Sequence, residues 1–175
     1  MTQDIQRIAE VDVTATDHSE IADLLAASFD STFEGRSYFI QPPSARLIVR
    51  DDKNRIVAQT SLFLRRIRVE VSEFRAIGLG DVAVSAHCRG KGLGGRMVEE
   101  ALAFGRALDQ DFAMLEGDSG IYGRNGFVAV DNLVRNLNVE TGRVIEETGF
   151  GFMICRLADK PWPPSETVDL MGPRF

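Results

Sequence analysis

Residues 81–108 constrain the fold more tightly than any other stretch. "DVAVS" is apolar and rich in β-branched residues, which suits a strand. "AHCRGKGLGG" then sets Gly90, Gly92, Gly94 and Gly95 close together. A helix follows in "GLGGRMVEEALAFGRAL", with Leu93, Met97, Ala101, Phe104 and Leu108 on one face and Arg96, Glu99, Glu100 and Arg106 on the other, the spacing of an amphipathic helix. A strand that enters a helix through glycines presents uncovered backbone amides at the helix start. Those amides together carry about half a positive charge, and glycine lets an anion approach them without a side-chain clash.

Three ligand patterns overlap on these residues. Gly90, Gly92 and Gly95 fit G-x-G-x-x-G, a dinucleotide pattern. Gly90-Lys91 fits the end of a phosphate loop. Arg89, Gly92 and Gly94 fit arginine-x-x-Gly-x-Gly, used by proteins that hold coenzyme A. The phosphate loop fails, because Gly92 follows Lys91 where Ser or Thr must hold magnesium, and Ser85 replaces the first glycine. The dinucleotide reading needs a β-α-β unit with an acidic residue ending the next strand. Here the preceding strands read as a meander, and Glu116 arrives late. The coenzyme A reading also uses Arg89 and Lys91, as charge-assisted pyrophosphate contacts. Its bland competitor is a glycine-rich turn before a solvated basic helix end.

The rest of the chain supplies a sheet. "IQRIAEVDV" reads as a short strand. "TATDHSEIADLLAASF" reads as a helix capped by Asp17, with Glu20 three residues on and a stripe of Ile21, Leu24, Leu25 and Phe29. Residues 30–44, with Pro42-Pro43, read as a broken helix or loop. "ARLIVR" is a strand, "DDKN" a turn, and "RIVAQTSLFLRRIRVEV" a long strand in which Arg66, Arg68 and Glu70 alternate with Ile67, Val69 and Val71. "FRAIGLGDVAVS" is the next strand, and Gly78 and Gly80 within it imply a bulge or a close backbone approach. "DFAMLEG" is a strand, and "DSGIYGRNG" a short helix capped by Asp118 or Ser119 and stopped by Gly126. "FVAV", a hairpin around "VETGRV", and "GFGFMICRL" complete the sheet. The expected class is α/β (α+β), a mixed, mostly antiparallel sheet flanked by helices. One domain spans residues 1–158, and an irregular, proline-rich tail, residues 159–175, packs on it through Trp162.

Composition excludes several partners. The net charge of -6 argues against a nucleic-acid surface. No run approaches the ~20 apolar residues of a membrane span, and the polar, acidic start lacks a signal pattern, so a cytoplasmic location is expected. Cys88 and Cys155 read as two reduced thiols. Two histidines, His18 and His87, and no Cys/His spacing that suits zinc predict no metal.

"LGDVAVSAHCRGKGLGGRMVEEAL" and, downstream, "IYGRNGF" resemble the GNAT N-acyltransferases, in element order over residues 1–158. Ala86 stands where that family commonly has proline. The resemblance implies a splayed sheet and acyl-CoA, by default acetyl-CoA, as co-substrate. It implies main-chain contacts from Val82 and Val84 to the pantetheine arm, and a pyrophosphate held by Arg89, Gly90, Lys91, Gly92, Gly94 and Gly95. Strand amides near Val82 would polarise the thioester carbonyl. Tyr122 is implied near the thioester sulfur, as general acid for the departing thiolate; the alternative is a ring packed between Ile121 and Phe127. The acceptor, a small-molecule amine, must lose a proton. Glu116 is the first candidate base. Asp81 and Glu73 are rivals that read as solvated surface carboxylates, and a water chain can replace any single base. His87 lies at the pyrophosphate end, where a structural or solvent role suits it. An acyl-Cys88 intermediate lacks a supporting His-acid pair. Acceptor contacts would come from residues 30–44, residues 131–148 and the tail, and C-terminal edge strands could pair in a homodimer.

A narrower resemblance rests on "GRSYF", "LRRIRVEVSEFRAIGLGDVAV" and "WPPSETVDLMGP", which look like the rhizobial nodulation protein A acyltransferases. It implies acyl carrier protein as donor and an amino sugar as acceptor. Gly78, where that family has an acid, and the short segment from Glu116 to Phe127 depart from it. Arg65, Arg66 and Arg68 could dock acyl carrier protein or coenzyme A phosphates, but read more simply as a solvated strand face. A module that binds acyl-CoA without turnover is a third reading.

Overall fold

The computed structural model describes residues 4–29, 33–149 and 151–174. Residues 30–32 of the expected 30–44 loop lie outside the described residues. Internal contacts divide the chain into two units, Met1–Phe63 with Leu79–Ala101, and Leu64–Gly78 with Leu102–Phe175.

The first unit holds β1 (Ile5–Ala9), α1 (Ala15–Ala26) and β2 (Ala45–Arg50), the start of β3 (Ile56–Val69), the end of β4 (Ser72–Val84) and the start of α2 (Leu93–Ala107). β1 and β2 pair antiparallel with Ile5 opposite Val49, and β2 and β3 with Ala45 opposite Leu62. Thr14, not Asp17, caps α1. Its hydroxyl accepts from the Asp17 amide at 3.2 Å, while the Asp17 carboxylate accepts from the Thr14 amide at 3.3 Å. This reciprocal pair satisfies two amides at once, so the cap falls one turn ahead of the expected position. Ile21, Leu24 and Leu25 then pack on Ile48, Ile56 and Ala83.

The second unit takes the remainder of β3, β4 and α2 and adds β5 (Phe112–Glu116), α3 (Ser119–Tyr122), β6 (Val128–Ala129), β7 (Val134–Asn138), β8 (Arg143–Glu147), β9 (Phe152–Arg156) and β10 (Val168–Asp169). β5 runs parallel to β4 where residues 76–78 face residues 112–114, and antiparallel to β9, which also pairs with β6. β4 continues six residues past its last partner on β5, to Val84. β7 and β8 form the expected hairpin.

Residues 159–175 are not wholly irregular. β10 is hydrogen-bonded antiparallel to β3 and parallel to β7. Trp162 anchors this segment: its ring meets Phe112 edge-on at 4.9 Å, and its Nε1 donates to Asn132 at 2.9 Å. The Asn132 amide in turn donates to the carbonyls of Pro163 and Glu166. Around Trp162 lie Ile67, Phe112, Met114, Phe152, Ile154 and Val168, and burying such side chains fully contributes about 1.5–3 kcal/mol each. Buried Asp111 accepts from the Arg75 amide and pairs with Lys160, both at 2.8 Å. Leu108, expected in the core, is exposed because α2 ends at Ala107. Among the described residues no helix is long and apolar enough to cross a membrane.

Candidate active site

In the first unit, β4 ends at Val84, a 3-10 turn covers Ala86–Cys88, and α2 begins at Leu93. Gly90 and Gly92 both adopt φ +74, a left-handed backbone that costs an L-residue roughly 1–2 kcal/mol. Their glycine identity is therefore conformational. It also keeps the loop uncrowded, since a Cβ at either position would meet nothing within 4 Å. The Arg96 amide donates to the Gly92 carbonyl at 3.2 Å, in the first turn of α2. Arg89 Nε donates to the Val84 carbonyl at 2.9 Å, and a Cβ on Gly94 would lie 3.9 Å from Val84. Val84, Arg89 and Gly94 thus come together at one loop. Lys91 is exposed, Gly95 and Val82 are half-buried. His87 lies exposed at the surface, its Nδ1 2.8 Å from the Ser85 hydroxyl. Cys88 is buried, and both cysteines are free thiols.

Asp81 corrects the sequence reading. It is not a solvated surface carboxylate. Ser61 donates its hydroxyl to Asp81 Oδ2 at 2.8 Å, and the Gln59 amide donates to the Asp81 carbonyl. Gln59 Oε1 accepts from Arg46, which is fully buried and also donates to the Ser37 carbonyl at 2.9 Å. The Arg46 fork closes on Glu10 at 2.6 and 2.8 Å. Burial pushes the Asp81 carboxyl above its ordinary value, against the Ser61 hydrogen bond and the Arg46 charge. Asp81 itself adopts left-handed backbone, at φ 54. One available signal was the polar run Gln59, Thr60, Ser61 inside the apolar first part of β3.

In the second unit Glu116 ends β5, half-buried. Arg174 Nε stands 3.4 Å from Glu116 and 3.6 Å from Glu147, and Asn136 donates to Glu147 at 2.7 Å. Burial raises the Glu116 carboxyl, with Arg174 opposing and Glu147 adding to the rise. Tyr122 closes α3, whose first turn is capped by Asp118 through the Gly120 amide at 2.6 Å. Its ring packs on Phe127, centroids 6.2 Å apart, and burial pushes its phenol above the ordinary value. Glu73 pairs with Arg66 and Arg68 at the surface, as expected. Arg65 differs from its two neighbours: it turns inward to the Pro173 carbonyl, and burial pulls its pKa down to about 10. The three arginines are therefore not one solvated face. Among the described residues no three His, Cys, Asp or Glu side chains group as metal ligands would.

A family model described as an acetyltransferase (GNAT) domain matches residues 11–130, more than half of the chain. The protein belongs to the GNAT acetyltransferase family. This GNAT chain shares its fold with a GNAT family N-acetyltransferase (YhbS) from Escherichia coli solved in complex with CoA, at 20% identity and TM-score 0.68 over 96% of this chain and 89% of that one. A GNAT family acetyltransferase from Brucella melitensis, solved with acetyl-CoA, aligns at 20% identity and TM-score 0.59 over 95% and 96%. An acyl-CoA N-acyltransferase from Pseudomonas aeruginosa aligns at 21% identity and TM-score 0.60 over 88% and 99%. No curated protein matches the GNAT chain, which leaves the nodulation protein A resemblance without support.

Proposed function

We propose that this GNAT protein moves an acyl group, acetyl by default, from acyl-CoA to the amine of a small molecule by direct attack in a ternary complex. The observation that carries this reading is the pair of left-handed glycines, Gly90 and Gly92, that open α2 between Arg89 and Lys91. A backbone of that shape suits a pyrophosphate, and two structures of similar fold were solved with CoA or acetyl-CoA. Bound acetyl-CoA supplies the activated acyl group. The loop amides, Arg89 and Lys91 hold its pyrophosphate, and the main chain of Val82 and Val84 holds the pantetheine arm. Tyr122 gives a proton to the leaving thiolate; a hydroxyl that no described residue hydrogen-bonds, on a phenol that burial keeps protonated, supports that role. Glu116 is the carboxylate that the sequence offers for the amine proton, but Arg174 competes for it.

Thermal shift with acetyl-CoA, palmitoyl-CoA and NAD tests the reading. A ligand of the native state at a hundred times its Kd adds about 2.7 kcal/mol of apparent stability. Acetyl-CoA should raise the melting temperature. A response to NAD alone overturns the assignment, and one to palmitoyl-CoA alone moves the donor to long acyl chains.

A further inference from the structure

We propose that Glu116 and Glu147 together hold the second cation of a doubly cationic acceptor amine, and that Arg174, carried on the C-terminal strap of residues 168–174, occupies that place until such an acceptor displaces it. This rests on the acyl-transfer reading above and names the acceptor class: an amine whose far end bears an ammonium or a guanidinium. The role of the two carboxylates here is binding, not proton transfer.

The two carboxylates are built to want a cation. Glu116 ends β5 and Glu147 ends β8, and the Arg174 Nε faces both, at 3.4 and 3.6 Å. Asn136, buried on β7, donates at 2.7 Å to the same Glu147 oxygen and fixes its direction. Like charges so placed raise each other's proton affinity, and Glu147 adds to burial in lifting the Glu116 carboxyl. A cation between them removes that repulsion. The pair also adjoins the chemistry, because Gly117, next to Glu116, backs onto the ring of Tyr122, the residue proposed to protonate the thiolate.

Other contacts hold the strap and deliver Arg174 to the pair. β10 is bonded to β3 and β7. The Leu170 amide donates to the Arg135 carbonyl and the Leu137 amide to the Gly172 carbonyl, both at 2.9 Å, and Arg65 donates to the Pro173 carbonyl at 2.6 Å. The guanidinium that follows is exchangeable. Its two contacts are long, and the side chains of Arg174, Glu116 and Glu147 are 37%, 29% and 30% exposed. Lys160 and Asp111, in the same unit, close instead to 2.8 Å on a carboxylate only 3% exposed. A partly exposed ion pair contributes little net stability, so an acceptor that brings its own cation can take the place of Arg174, and an amine with an uncharged tail gains nothing there.

The experiment uses agmatine, a primary amine with a guanidinium at its far end, and n-butylamine, which has the same alkyl chain without it. Each is titrated calorimetrically into wild type, Arg174→Gln, Arg174→Lys and the double variant Arg174→Gln/Glu147→Gln, all saturated with CoA. Thiol release from acetyl-CoA is read in parallel. Arg174→Gln should tighten agmatine about two- to fivefold relative to n-butylamine, and the same ratio of KM values should fall; loss of an acid or base would change kcat instead. Arg174→Lys should return the ratio to that of wild type, and adding Glu147→Gln should erase the gain. A ratio unchanged in Arg174→Gln, or a gain that survives Glu147→Gln, overturns the proposal. So does a large fall in the melting temperature of Arg174→Gln, which would make Arg174 an anchor of the strap. Wild-type protein that gains no stability from acetyl-CoA overturns instead the acyl-transfer reading beneath it, whatever the agmatine ratios.

Discussion

Gly117 lies flat against the Tyr122 ring: a Cβ at Gly117 would come within 2.5 Å of Cε2 and 2.7 Å of Cδ2. The ring could not stay where it is beside any larger residue. Crowding of this kind costs typically 1–3 kcal/mol. Gly117→Ala should therefore lower the melting temperature modestly and, by displacing the Tyr122 hydroxyl, lower kcat more than acetyl-CoA affinity. Calorimetry together with steady-state kinetics checks both, and unchanged turnover would show that ring placement is immaterial.

Tyr122→Phe isolates the hydroxyl from the ring. No described residue hydrogen-bonds that hydroxyl, so the change should leave the melting temperature where it was. A positioned acid contributes about 10²–10⁴-fold, and kcat should fall within that range. Burial raises the Tyr122 phenol, so the acid form persists through neutral and mildly alkaline pH. Wild-type turnover in this variant removes Tyr122 from the chemistry.

Gly92→Ala meets no neighbouring atom, yet its backbone sits at φ +74. The strain should reach roughly 1–2 kcal/mol and either destabilise the loop or reshape it. Acetyl-CoA affinity by calorimetric titration should weaken, as it should in Arg89→Ala, which removes one charge-assisted contact. Equal affinity in both variants would place the pyrophosphate elsewhere.

Acid should unfold this protein partly through Asp111. Burial works to raise its carboxyl, but the hydrogen bonds from Lys160 and the Arg75 amide outweigh it, and the folded pKa lies below the ordinary value. A depressed folded pKa means stability that is present above the unfolded pKa, about 3.9, and lost as pH falls through the folded one. Melting temperature should drop steeply below about pH 4. Asp111→Asn should melt lower than wild type at neutral pH and show a shallower acid decline. Parallel curves for the two proteins would rule out this contribution.

What could be read from the residues alone was whatever local chemistry decides. The strand, glycine loop and helix over residues 81–108 were legible because periodicity and glycine backbone freedom act within a few residues, and Leu108 failed only because the helix stops one residue earlier. The cap of α1 was misplaced by one turn because Thr14 and Asp17 are both capping residues and act together. The surroundings of Asp81 were hidden. Gln59 and Ser61 reach it directly, with Arg46 and Glu10 behind Gln59, through strand register and side-chain reach from three separated stretches of the chain. β10 was hidden for the same reason, since two residues carry no periodicity and its partners Val69 and Val134 lie far off in sequence.

The placing of β10 also sets a timetable. In the strand order β7 joins β3 through β10, so the hydrogen-bonded path from β3 to the hairpin of β7 and β8 is complete only once residues 168–169 have been synthesised. β3 and β7 are both synthesised before β10, and each keeps an open edge towards it until then. Shortening the chain ahead of Val168 would remove the one strand that bridges β3 and β7 among the described residues.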